Sequence, residues 1–267
     1  MILTIDIGNS RTKWGMFNSD HTLLETGVFS NLDYPVAPPR IWAACHHALV
    51  ACVADERLVD KISGLLAILG ISARILRSTQ SACGVENAYD QFSQLGVDRW
   101  AAIVAAWQLY KAPCLVVNAG TAVTLDAIAI KSIDQGEVAS PKQGRFIGGL
   151  ILPGLKLTQN SLFNSTAKLQ YCILDEPSAD LETFKLFATN TASAVQCGIK
   201  AAIVCLIKAM ILELKMSYGE QIFCVISGGD AAIFADALDT FHFDQQATPI
   251  VLDPHLVLKG LLFLHDE

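Results

Sequence analysis

Residues 1–17, MILTIDIGNSRTKWGMF, and residues 114–130, CLVVNAGTAVTLDAIAI, follow one pattern. In the first, Ile2, Leu3, Ile5 and Ile7 form a strand, Gly8-Asn9-Ser10 supplies turn chemistry, and Thr12–Phe17 returns as a second strand. In the second, Cys114–Val117 is a strand, Asn118-Ala119-Gly120-Thr121 a turn, and Ala122–Ile130 the return. Asp6 and Asn118 hold equivalent places, 118 − 6 = 112 positions apart. Two copies of strand, Asp/Asn-x-Gly and strand predict an internal repeat: two lobes, each headed by a hairpin whose turn could hold phosphate. An ordinary hairpin also uses Gly-Asn turns, so one copy alone would decide nothing.

The remaining chain fits an α/β protein. Leu58, Ile62, Leu65, Leu66 and Leu69 fall at helical spacing and predict a helix over Asp55–Leu69, stopped by Gly70. Ile71–Leu76 reads as a strand, and Asp98–Tyr110 as a helix with an Ala-rich inner face. Thr189–Leu214 predicts a long apolar helix, buried between lobes or in a dimer interface. Gln221–Ile226 reads as a strand running into Ser227-Gly228-Gly229-Asp230. The boundary before the second hairpin divides the chain into lobes 1–112 and 113–267.

Composition narrows the function. Of 267 residues 52% are apolar and 17% charged, enough for a large core and too apolar for disorder. The net charge of −7, without a Lys/Arg cluster, argues against a nucleic-acid partner. Ala201–Leu214 is broken by Lys208 and falls short of the ~20 residues that a bilayer needs. The start lacks the basic region and cleavage site of a secretory signal, so a cytoplasmic protein is expected. Eight cysteines (45, 52, 83, 114, 172, 197, 205 and 224) include no C-x-x-C pair and read as reduced thiols. His46-His47, near Cys45 and Cys52, lacks metal-ligand spacing because adjacent residues point different ways.

Three segments could carry chemistry. Asp6, at a strand end, presents a carboxylate that can hold Mg²⁺ directly or through water. Gly8 allows close backbone approach, the N–H groups that follow can cradle phosphate, and Lys13 can neutralise it. Leu95-Gly96-Val97-Asp98-Arg99-Trp100 sets a carboxylate beside a guanidinium at a helix start, where the macrodipole adds positive charge. Asp98 could accept a hydroxyl proton there, and Arg99 could hold an anion. In isolation the same residues also read as a plain capped helix with a surface ion pair. Walker and dinucleotide glycine motifs do not occur.

The ordered motifs DIGNSRTKW, AYDQFSQLGVDRW, VNAGTAVTLD, GGLILPG, NTASAVQCG, SGGDA and DPHLVLKGL resemble the type III pantothenate kinases, from Asp6 to Leu261. The Lys13-Trp14 pair is similar to the family branch called Bvg accessory factors. That resemblance implies two ribonuclease-H-like lobes of the actin-like ASKHA superfamily, with a nucleotide cleft between them, and a homodimer. It implies transfer of the ATP γ-phosphate to the primary hydroxyl of pantothenate, the first step of coenzyme A synthesis. By resemblance, Asp6, Ile7, Gly8, Asn9, Ser10, Arg11, Thr12 and Lys13 would hold ATP phosphates, and Asp6 also Mg²⁺. Thr121 would touch the nucleotide phosphates. Tyr89, Gly96, Val97, Asp98 and Arg99 would bind pantothenate, with Asp98 as catalytic base. Thr191 would reach the pantothenate of the partner subunit. Gly148-Gly149, Pro153-Gly154 and Gly228-Gly229 would shape the cleft. A family member that has weakened catalytically and acts as a regulatory or interaction protein is the alternative.

Two positions depart from the family pattern. Phe92 stands where a Pro is usual. Asn118 stands where the family usually has Asp, the residue that helps bind an activating K⁺ or NH₄⁺. An amide offers an oxygen without the charge, so cation affinity should fall. Asn118→Asp is therefore expected to strengthen the dependence of turnover on K⁺, and an unchanged K⁺ titration would remove position 118 from the cation site.

Overall fold

The computed structural model describes residues 1–131, 142–166, 185–219, 221–240 and 248–265. Cys172 lies outside them. The chain forms a mixed α/β fold with two sheets. The first has the order β3-β2-β1-β4-β5, with β1 Ile2–Ile7, β2 Arg11–Phe17, β3 Leu23–Ser30, β4 His47–Cys52 and β5 Ser72–Ile75. β1, β2 and β3 pair antiparallel, whereas β4 joins β1, and β5 joins β4, in parallel. The predicted hairpin is present, with Ile5 opposite Trp14 and Asp6 opposite Lys13. β3 was not foreseen: LLETGVFS at an exposed sheet edge carries little of the alternation that marks a half-buried strand.

The second sheet has the order β12-β11-β8-β9-β10-β7-β6. Its strands are β6 Ser81–Ala82, β7 Val85–Asn87, β8 Cys114–Ala119, β9 Ala122–Ile130, β10 Gly144–Pro153, β11 Phe223–Ser227 and β12 Ile250–Leu252. The repeated hairpin is thus β8–β9. β10 absorbs the Gly148-Gly149 pair, which sequence reading took for a turn; Gly148 adopts φ +134°, open to glycine alone at little cost. The helices are α1 Glu56–Ile68, α2 Val97–Tyr110, α3 Leu155–Ser165, α4 Thr191–Tyr218, α5 Ala231–Thr240 and α6 Leu256–Phe263. Asp55 caps α1, its carboxylate accepting from the Arg57 amide at 2.9 Å, and Gly70 at φ +68° follows the helix end.

Two compact units emerge, one of Met1–Cys114, Ile128–Gly148 and His255–Glu267, the other of Leu115–Ala127 and Gly149–Pro254. In the first, strand periodicity divides β1 between two faces. Leu3, Ile5 and Ile7 pack with Trp14, Met16, Trp42 and the α1 residues Ile62, Leu65 and Leu66. Ile2 on the opposite face packs with Phe17 and the α6 residues Leu258 and Leu262. α6 also lies against α2, where a Cβ on Gly260 would stand 1.9 Å from the carbonyl oxygen of Ala101. The Ala-rich face expected of α2 is buried, including Ala101, Ala102, Ala105 and Ala106.

In the second unit, Leu115, Val117 and Ala119 of β8 and Val123, Leu125 and Ala127 of β9 form a core with α4, α5 and β11. α4 is the long apolar helix expected, and within its own chain it is buried along one side. Ile203, Val204, Ile207, Ile211 and Leu214 make one buried stripe, but Leu212 and Met216 are 55% and 69% exposed. It is the one helix among the described residues long and apolar enough to cross a membrane, and 28% of its most apolar window is buried. Gly260→Ala should cost about 1–3 kcal/mol, as added atoms force α2 and α6 apart. The matching fall in Tm, roughly 3–10 °C by differential scanning calorimetry, checks that contact.

Candidate active site

In the first unit the site is built from the end of β1, the start of β2 and the start of α2. Because side chains alternate across a strand, Asp6 and Lys13 leave the β1–β2 hairpin on the face opposite Ile5 and Trp14. The turn between the strands closes with the Gly8 amide donating to the Arg11 carbonyl at 3.1 Å. A Cβ on Gly8 would lie 3.2 Å from that same carbonyl oxygen, which favours glycine. Asn9, Ser10 and Arg11 are exposed, while Ile7 and Thr12 are buried. Their side chains serve the interior, so within this segment any ligand contact by Ile7 falls to its backbone.

Asp6 Oδ1 is buried and accepts no hydrogen bond. Burial pushes the Asp6 carboxyl up to about 7, the nearby Asp98 carboxylate pushes the same way, and Lys13 opposes both. An unpartnered carboxylate oxygen with a second carboxylate close by is a fitting donor set for a hard divalent cation such as Mg²⁺. Among the described residues no cluster of three or more His, Cys, Asp or Glu side chains could hold a metal by itself. The site therefore suits an ion carried in with phosphates rather than a closed protein cage.

Asp98 occupies the second position of α2, and Gly96 is the N-cap residue. One Asp98 carboxylate oxygen accepts from the Arg99 amide at 2.8 Å. A Cβ at position 96 would sit 2.6 Å from Asp98 Oδ1. Glycine is needed there so that the carboxylate can fold over the helix start. Arg99 is buried, 5% exposed, and its Nη1 donates to the Tyr89 hydroxyl at 3.0 Å. Its guanidinium also lies 5.7 Å from the Tyr89 ring centroid, and Phe146 packs on Tyr89 at 5.3 Å. Arg99 is thus a buried, oriented cation, not the surface ion-pair partner that the bare sequence also allowed. Phe92 lies in a short 3₁₀ turn before Gly96 and is 41% exposed.

In the second unit, Asn118 is the last but one residue of β8, on the face away from Val117 and Ala119, and Thr121 is exposed in the hairpin turn. Two glycines press on that turn. A Cβ on Gly154 would meet the Gly120 carbonyl oxygen at 2.2 Å, and one on Gly228, at φ +103°, would meet that of Ala119 at 2.2 Å. The Gly154 amide donates to the Thr121 carbonyl at 2.9 Å, and the Asp230 amide to that of Ala119 at 3.1 Å. Thr191 is exposed at the first turn of α4, where the Asn190 side chain caps the helix through the Ser193 amide. Burial raises the Cys114 thiol to about 12, which leaves it unreactive.

Asp6 supplies a pH-dependent stability. Its carboxyl binds a proton up to about pH 7 in the folded protein, against 3.8 ordinarily. The folded state therefore holds the extra proton between these values, and stability falls as pH rises through that window. Asp6→Asn should raise Tm in metal-free buffer at pH 8 and leave it nearly unchanged at pH 4. A Tm difference independent of pH would show that Asp6 is not held protonated.

Comparison with known proteins identifies the family. The sequence profile described as type III pantothenate kinase matches residues 2–213. A type III pantothenate kinase of Methylobacillus flagellatus is 38% identical over 264 residues, covering 98% of this chain and 97% of the relative. Among solved structures, a Campylobacter jejuni protein described as a Baf family transcriptional activator is similar at TM-score 0.56 and 18% identity, covering 99% and 97% of the two chains. A Listeria monocytogenes protein described as an N-acetylmannosamine kinase is similar at TM-score 0.53 and 14% identity, over 99% of both chains. These two likenesses establish the α/β fold shared with the sugar kinases. The sequence matches go further: the chain belongs to the type III pantothenate kinase family.

Proposed function

We infer that this chain transfers the γ-phosphoryl group of ATP to the primary hydroxyl of pantothenate, opening coenzyme A synthesis. The observation that carries the reading is the closeness of two carboxylates, Asp6 at the hairpin turn and Asp98 at the start of α2, within one compact unit. Asp6, Lys13 and the turn from Ile7 to Thr12 hold the phosphate end of ATP, a role that the family resemblance also gives to Thr121. Asp6 would hold Mg²⁺, directly or through water, and the ion would neutralise phosphate charge. Arg99, oriented by Tyr89, holds the pantothenate carboxylate, with Gly96 and Val97 beside it. Asp98 accepts the hydroxyl proton as the phosphoryl–oxygen bond to ADP breaks and the bond to pantothenate forms. The products are ADP and 4′-phosphopantothenate, with the proton left on Asp98.

The finer readings belong to the same proposal. A lobe division after residue 112 puts one hairpin at the head of each half, while α6 returns to the first. The exposed Leu212 and Met216 on α4 favour a homodimer in which the partner subunit's Thr191 approaches pantothenate. Asn118 leaves an amide oxygen where K⁺ or NH₄⁺ would sit. The acidic charge disfavours a nucleic-acid partner, and the free thiols favour a cytoplasmic enzyme. Nothing favours a purely regulatory role, and Asp6, Lys13, Asp98 and Arg99 are all present in the sequence.

ADP release from purified protein with ATP and Mg²⁺ should require pantothenate, and the product should carry one added phosphoryl group by mass. Asp98→Asn should lower kcat by roughly 10²–10⁴-fold with Tm retained. Near-normal turnover in that variant would remove Asp98 as the base, and no pantothenate-dependent release from folded wild type in any salt would remove the function.

A further inference from the structure

Asn31, just beyond β3, makes three hydrogen bonds to the turn that follows β1. Its backbone amide donates to the Ser10 carbonyl at 3.1 Å, and its Nδ2 donates to the Gly8 carbonyl at 2.6 Å. Its Oδ1 accepts from the Thr12 hydroxyl at 2.9 Å. Since Thr12 spends its one proton on Asn31, the Tyr34 hydroxyl, 3.4 Å from Thr12 Oγ1, is the donor in that pair. Tyr34 is fixed in turn by Phe29, edge-on at 4.7 Å, and by Lys61 over its ring at 5.6 Å.

The geometry has a direct consequence for the outer side of the turn. No peptide bond among the described residues is cis. In a planar trans peptide the carbonyl of one residue and the N–H of the next point in opposite directions. Asn31 draws the carbonyls of Gly8 and Ser10 toward itself, so the N–H groups of Asn9 and Arg11 point away from it. The Asn9 N–H is one of the donors that a phosphate cradle needs. Holding it in place beforehand spares the ligand the cost of ordering an exposed turn.

We propose that Asn31 is a positioning residue for nucleotide binding: it sets a backbone donor of the Gly8–Thr12 turn without touching the ligand, a role resting on the reading of that turn as the phosphate site. Asn31→Ala should weaken MgADP binding about tenfold by calorimetry, the order expected when neutral hydrogen bonds are lost. KM for ATP should rise while pantothenate affinity stays within about twofold. Asn31→Asp, of equal size, replaces the donor to Gly8 by an oxygen and should weaken MgADP at least as much, which covers the case in which the alanine variant does not fold. Lys13→Ala tests the underlying site. MgADP affinity lost with Lys13→Ala but kept in both Asn31 variants would overturn the bracing role. Affinity kept in all three would overturn the phosphate site and this proposal with it. Equal losses of MgADP and pantothenate affinity in the Asn31 variants would mark Asn31 as merely structural and overturn it as well.

Discussion

A carboxylate kept at the end of an apolar strand is the constraint around which the first unit is arranged. Asp6 lies one residue from the core position Ile7 and two from the interior Thr4, on a strand with neighbours on both sides. Burying a carboxylate without partners is costly, and it shows in the upward push on its proton affinity. Lys13 opposite and Asp98 nearby set the local balance, Asp98 strengthening the hold on the proton and Lys13 weakening it.

Much of this was legible in the sequence, because it lies in local patterns. The two hairpins, α1 and α2 followed those patterns to within a few residues. The Gly-x-Asp-Arg segment was visible as chemistry, yet two readings of Arg99 stayed open. Only its burial under Tyr89 and Phe146 separates an oriented cation from a surface one.

What stayed hidden depends on partners remote in sequence. Asn31 gives no local signal: Ser-Asn-Leu-Asp reads as a polar loop, and its importance comes from Gly8, Ser10 and Thr12 some twenty residues earlier. Gly154 and Gly228 carry the same lesson. In sequence they are loop glycines, while in space each leaves room for the backbone of one hairpin turn. α6 was missed as a helix because LVLKGLLF is apolar all round, without the polar face that marks an amphipathic helix. α4 follows its apolar length as a helix, and within its own chain it buries one stripe and leaves Leu212 and Met216 exposed.

The packing of α6 on the unit that begins with β1 also bears on how the protein is made. Ile2 and Phe17 are synthesised long before Leu258 and Leu262, which cover them. Domains generally fold as units, N-terminal parts first. Here the first unit carries an uncovered apolar face until α6 is made, since residues of the second unit come in between. The nascent chain is thereby a natural client for chaperones that hold exposed sheet faces, and a frameshift or stop codon before Leu256 would leave that face open for good.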